Sequence, residues 1–266
     1  MRVSTALAAL AVAAALAAGA TGAPPPATVT PGQLTIGVSL PSEGFEVGVA
    51  KGSQVVYAQG FDIDLGRALA KRLGLKAAFV QSPFGRLFSF GTKPWDVAIA
   101  QITITDQRQR TAEFTQPYMS VDQGVLAAQT VSPVPRTIAD LRSLRICALA
   151  KSTGAEVAKT VVAPRRPVRL LGNVPTLMLD VQTGRCQAVV YDAPTLGTLK
   201  ARAPDRYGPF AGVIKTGEQY GVALPKGSAL LDTVDAALGA LVSDGTLQRL
   251  QKKWLTTNLA ALPVLG

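Results

Sequence analysis

Histidine is absent from the 266 residues, and cysteine occurs only twice. Without histidine there is no Ser-His-Asp triad and no imidazole metal site, and two cysteines form no thiolate cluster to replace one. Aromatic residues are scarce, at 6%, and basic residues come in no run denser than Arg165-Arg166 or Lys252-Lys253. The net charge of +10 therefore reads as a basic solvated surface, not as a nucleic-acid-binding stripe. Beyond the N-terminus no stretch of about 18 uninterrupted apolar residues occurs, so no later membrane span is predicted.

What is present is globular: 48% hydrophobic and 17% charged residues, in a chain long enough for two lobes with separate cores. The N-terminus is a different material. Met1-Arg2 is followed by Ala, Leu and Val from Ala6 to Ala18, then by small residues to Ala23 and by Pro24 to Pro26. This predicts a secretory signal peptide over residues 1–23, with cleavage after Ala23 (or Ala20), and a disordered arm over 24–32. No cysteine stands near the exit, so no lipid anchor is expected, and the exported protein is predicted to be soluble and periplasmic. Export permits a disulfide. Cys147 and Cys186 each sit beside an apolar strand-like run, which leaves open whether they are bonded or are two buried thiols.

The periodicity predicts a strand at 34–40, a short hairpin around Val47 and Val55, a helix at 61–73 stopped by Gly74, a strand at 76–80, a short helix from Arg86, and a strand at 95–104. The same β-α-β-α-β plan recurs with strands at 144–150, 168–171 and 187–191 and helices at 154–162 and 176–183. Extended connectors at 121–128 and 220–224 separate the units, and two final helices follow, at 229–242 and ending near Trp254. The expected fold class is α/β: two lobes, each a doubly wound, mostly parallel sheet, joined by a two-strand hinge around a ligand-sized cleft. Residues 33–124 and 223–266 are assigned to the first lobe and 125–222 to the second.

Ligands of such sheets sit beyond the carboxyl ends of the strands. After the third strand, Thr105 is a good helix cap, yet Arg108 stands where a capping box wants Glu or Gln. A cation there opposes the helix dipole, and a broken local rule at a strand end marks a candidate site. Its planar fork suits a carboxylate. In the second unit, Ser152-Thr153 opens a helix after a strand, where hydroxyls and free N–H groups receive an anion or simply cap the helix. Asp192 ends the last strand of that unit. Arg108 and Asp192 thus stand as opposite charges at equivalent strand ends of the two units, as a clamp for a zwitterion would require.

At these residues the chain resembles the bacterial extracellular solute-binding proteins of family 3, the polar amino-acid binders of ABC importers. Residues 60–73, GFDIDLGRALAKRL, match that family's signature. Asp96-Val97-Ala98-Ile99 followed by Thr103-Ile104-Thr105-Asp106-Gln107-Arg108, then Phe114-Thr115-Gln116-Pro117-Tyr118, Gly184-Arg185, Asp192, Tyr220-Gly221, Asp244-Gly245-Thr246 and Lys253-Trp254, fall in family order over residues 33–255. The resemblance implies a type II periplasmic binding fold and no enzyme activity, metal or cofactor. It implies a monomer whose partners are an amino acid and a membrane permease. It also implies that Arg108 holds the ligand carboxylate with Thr103 and the backbone near Ser152 and Thr153. By the same likeness Asp192 takes the ammonium, Phe84 stacks on the ligand, and Gln101 lines the pocket. Ser39 stands just after the first strand, where many members carry an acid, and Lys151 where glycine is usual. The missing acid points to a neutral polar or aliphatic ligand. Two alternatives share the fold. One is a cyclohexadienyl-dehydratase-like enzyme, whose expected acid is replaced here by Thr195. The other is a ligand-sensing accessory protein.

Overall fold

The computed structural model describes residues 27–255 and 261–266. The expected signal peptide lies outside the described residues. The described part of the arm is not disordered: the buried carboxylate of Asp96 takes the Val29 N–H at 2.6 Å and the Thr35 N–H at 2.7 Å, and so pins residues 27–32 to the sheet.

The first lobe begins with β1 (Gln33–Val38), the hairpin β2 (Val47–Lys51) and β3 (Gln54–Gln59), α1 (Phe61–Arg72) and β4 (Lys76–Gln81). Then follow α2 (Phe84–Leu87), β5 (Val97–Ala98), α3 (Asp106–Gln109) and β6 (Ala112–Phe114). A long strand, β7 (Met119–Ala127), leads into the second lobe. That lobe holds α4 (Ile138–Leu141), β8 (Ile146–Leu149), α5 (Thr153–Val157) continued by a π-helical turn, and β9 (Arg169–Leu171). It is completed by α6 (Val174–Gln182), β10 (Ala188–Asp192) and α7 (Ala193–Arg202). The return strand β11 (Phe210–Tyr220) is followed by β12 (Ala223–Pro225), α8 (Leu231–Ser243) and α9 (Thr246–Trp254), which pack against α1.

The sheets run β2-β3-β4-β1-β5-β12-β6 and β11-β7-β10-β8-β9. The first is parallel only at its centre, β4-β1-β5, and the second only at one end, β10-β8-β9; the other pairs are antiparallel. The expectation of mostly parallel sheets is corrected to mixed ones: the tight β2-β3 turn and the returning strands β7, β11 and β12 can only add antiparallel neighbours. The third strand is also much shorter than 95–104. It is confined to Val97–Ala98, flanked by bonds from Asp96 N–H and Ile99 N–H to β1, and the chain then turns at Gln101, whose φ is 52°.

α1 forms because its apolar residues recur on one face. Phe61, Ile63, Leu65 and Leu69 are buried in the first-lobe core with Ile36, Phe79, Val97, Val234 and Leu238. Its first turn is held by the loop before it, through Phe61 N–H to Gly44 O and Asp62 N–H to Phe45 O. The second lobe packs apolar clusters on the two faces of its sheet, one containing Cys147 and Cys186, which are joined by a disulfide with Cα atoms 5.8 Å apart.

β7 and β11 pair with each other along their length and carry the chain between lobes. Near the first lobe, Tyr220 O accepts from Tyr118 N–H, and Ile104 N–H donates to Gln219 O. In the middle, β11 bulges. Ile214 pairs with Gln123 and Glu218 with Val121, so β11 advances four residues (218 − 214) while β7 advances two (123 − 121). Asp122 holds the bulge by accepting from the N–H groups of Thr216 and Gly217 and from Lys215 Nζ. The final residues do not stay with the first lobe, as assigning 223–266 to it would require. Val213 N–H donates to Pro263 O, Leu265 N–H donates to Val213 O, and Leu265 is buried in the second-lobe core.

Candidate functional site

Arg108 leaves a single-turn helix whose cap is Thr105. With only four residues in that helix, the local dipole cost is small, and the guanidinium turns inward and is buried. It donates to Thr103 O at 2.8 Å, and across the lobes to Lys151 O at 3.1 Å. The ring of Phe88 lies 4.2 Å from it and that of Phe84 5.4 Å. Burial lowers its pKa to about 10, against the opposing pull of Asp192 and Glu218, so it stays charged at neutral pH. No carboxylate oxygen of the described residues lies within 4.0 Å of it.

Asp192 ends β10 and is buried at the start of α7, a helix absent from the sequence-based expectation and carrying Pro194 in its first turn. Proline is well placed in a first helical turn, where its missing N–H costs nothing. The carboxylate accepts from Tyr220 OH at 2.6 Å and Gln123 Nε2 at 2.8 Å. Burial raises its pKa to about 6; Glu218 adds to the rise, while Tyr220, Gln123 and Arg108 resist it. Both charges of the expected clamp are therefore dry and held only by neutral groups.

Between them stands a third ionisable group that the sequence did not suggest. Glu218 Oε2 accepts from Thr153 Oγ1 at 2.6 Å and from Thr103 Oγ1 at 3.0 Å, and Gln123 Nε2 donates to the same carboxylate at 3.2 Å. Thr103 belongs to the first lobe and Thr153 to the second. No periodicity marks Glu218, because it follows a bulge, where strand alternation is lost.

The other expected residues divide. Gln101 sits in the cleft: its Nε2 donates to Ser42 Oγ at 2.6 Å and its Oε1 accepts from Thr195 of the second lobe. Its N–H donates to Asp62, which shares a buried acidic centre with Glu46 and Tyr118. Burial raises Asp62 to about 6 and raises Glu46 as well, with Asp62 adding to the latter. Phe84 packs beside Arg108 and also against the second-lobe core. Ser152 is spent on capping α5: its hydroxyl accepts from Ala155 N–H at 3.1 Å and donates to Leu149 O. Among the described residues the Ser39 side chain makes no hydrogen bond to this group. Gln101 and Lys151, at the ends of β5 and β8, are both left-handed, with φ of 52° and 65°. Such strain gathers at binding sites, where the surrounding packing enforces it.

Two lobes on crossing strands, with opposite buried charges from each lobe meeting at the strand ends, define a two-lobed binding protein of the type II periplasmic class. Residues 34–257 match the bacterial extracellular solute-binding proteins, family 3, and the chain belongs to that family. It is 32% identical over 239 residues to the lysine/arginine/ornithine-binding periplasmic protein of Escherichia coli K12, covering 86% of this chain and 90% of that one. It is 30% identical over 202 residues to the L-cystine-binding protein TcyJ of the same organism, covering 75% of each. Among solved structures it resembles a mutant of ArgBP from T. maritima, with a TM-score of 0.73 and 30% identity over 85% of this chain and 96% of that one. Among the described residues no helix is long and apolar enough to cross a membrane.

Proposed function

We propose that this protein is the substrate-binding component of an amino-acid ABC importer: it closes on a free amino acid and presents it to a membrane permease. The observation that carries this reading is the clamp. A buried guanidinium and a buried carboxylate come from different lobes, each held by neutral partners. An α-amino acid supplies the missing opposite charge to both, and in a dry cleft each charge-assisted bond is stronger than in water. Its side chain would run toward Gln101, Ser42 and Thr195, a buried polar cluster joined by hydrogen bonds. Binding makes and breaks no covalent bond, and Thr195, already engaged by Gln101, supplies no acid for dehydratase chemistry.

A neutral ligand, expected from the missing acid after the first strand, finds no support in the relatives, which are named for lysine, arginine, ornithine and cystine. Basic amino acids and cystine are therefore the first ligands to test. A thermal-shift screen of the twenty amino acids, ornithine and cystine should give at least one strong hit. Calorimetry should then show Arg108→Ala without detectable binding but still folded. A screen without hits, or near-normal affinity in the variant, ends this reading.

A further inference from the structure

The donors that an incoming carboxylate would use are already engaged by a carboxylate of the chain itself. Arg108 binds the backbone oxygens of Thr103 and Lys151, in the two lobes, and the hydroxyls of Thr103 and Thr153 lie 3.4 Å from each other across the same boundary. Both hydroxyls point at one atom, Glu218 Oε2. Hydroxyls from opposite lobes converging on a single carboxylate oxygen form an anion site, and Glu218 fills it from within. The fit depends on the backbone. Two surplus residues in β11 re-aim the side chain, and Asp122 fixes their shape from the opposite strand. Glu218 has no cation within 4.0 Å among the described residues, so its hold on the lobes rests on these hydroxyls and on Gln123.

We infer that Glu218 is an internal competitor for the ligand carboxylate. It draws the lobes together before ligand arrives, and it must swing off Thr103 and Thr153 before an amino acid can seat its own carboxylate there. The residue thereby sets the affinity of the site. The competing half of this inference rests on the amino-acid reading above; the lobe-joining half does not.

Two variants test it. Glu218→Ala removes the acceptor, and Glu218→Gln keeps its shape while weakening it to a neutral one. Hydrogen bonds to a charged group differ from none by enough to predict a gain in affinity on the order of tenfold for the alanine variant and a smaller gain for glutamine. The gain should be the same for arginine and for glutamine as ligands, because it acts at the carboxylate both share. Without ligand, small-angle scattering should show the alanine variant with a larger radius of gyration than the parent. Unchanged or weaker binding of either amino acid, or an unchanged radius, overturns the inference. A selective loss of arginine would make Glu218 a partner for a side-chain cation instead. If the parent binds no amino acid, the importer reading fails, and the ligand-free radius alone decides whether Glu218 joins the lobes.

Discussion

At the scale of single residues, the carboxyls fall into two groups that respond oppositely to acid. Asp192 and Asp62 are raised by burial to about 6, and Glu46 is raised by burial as well. Their unfolded values lie near 4, so between about pH 4 and 6 the folded chain binds more protons than the unfolded one, and these groups stabilise the fold as pH falls. Asp122 and Asp180 are lowered by their lysine, arginine and backbone partners. They contribute stability above the unfolded value and lose it only as pH falls below about 4. The ligand-free protein should therefore grow more stable from pH 7 to about 5 and weaken below about 4, as read by denaturant midpoints. A steady decline from pH 7 would contradict this. Affinity should move the other way, weakening as pH falls through about 6, because a protonated Asp192 no longer attracts an ammonium. In Asp192→Asn the residual binding should lose that pH dependence.

At the scale of elements, two junctions carry unusual demands. Gly60 precedes α1 with φ 130°, and a Cβ there would lie 2.0 Å from Phe45 O. Gly60→Ala should therefore cost at least ~2 kcal/mol in chemical denaturation, through both sterics and backbone strain. The disulfide ties β8 to the loop after α6 across 39 positions. Closing a loop of that length contributes ~4 kcal/mol on the chain-entropy account. Reduction, or Cys147→Ala with Cys186→Ala, should lower stability by ~2–4 kcal/mol. Ligand affinity should stay within about twofold, since neither sulfur touches the cleft. Elements with a clean period were legible from sequence: α1, with its apolar face ending at Gly74, and the central strands β1, β8 and β10. Arg108 and Asp192 could be put forward as candidates from sequence, because each breaks or ends a local pattern. What escaped was whatever depends on pairing between distant segments. The bulge that aims Glu218 exists only against β7, Gln123 and Tyr220 matter only once β10 lies beside them, and α7 was hidden by a proline that suits a first helical turn.

At the scale of the molecule, closure is a balance of groups that bridge the lobes. Arg108 to Lys151 O, Thr195 to Gln101, Arg202 with Glu43, and the two threonines on Glu218 all join one half to the other. Each is partly or wholly polar, so the closed form is specific without being apolar glue. Glu43→Ala, at the exposed rim, should loosen the ligand-free form slightly and leave the clamp intact. Calorimetry should then show an affinity change of less than about threefold, in line with the small worth of exposed ion pairs.

The last residues add a mechanical limit. Leu255 follows α9 in the first lobe, while Pro263 and Leu265 are fastened to β11 in the second. Eight peptide steps separate Leu255 from the first fastened residue, Pro263 (263 − 255), and a fully extended chain reaches at most about 3.5 Å per residue. The two anchors are therefore tethered, and can part by no more than roughly 28 Å. However wide the two-strand pivot would let the jaws gape, they stop when that tether is taut, unless its far anchor tears free.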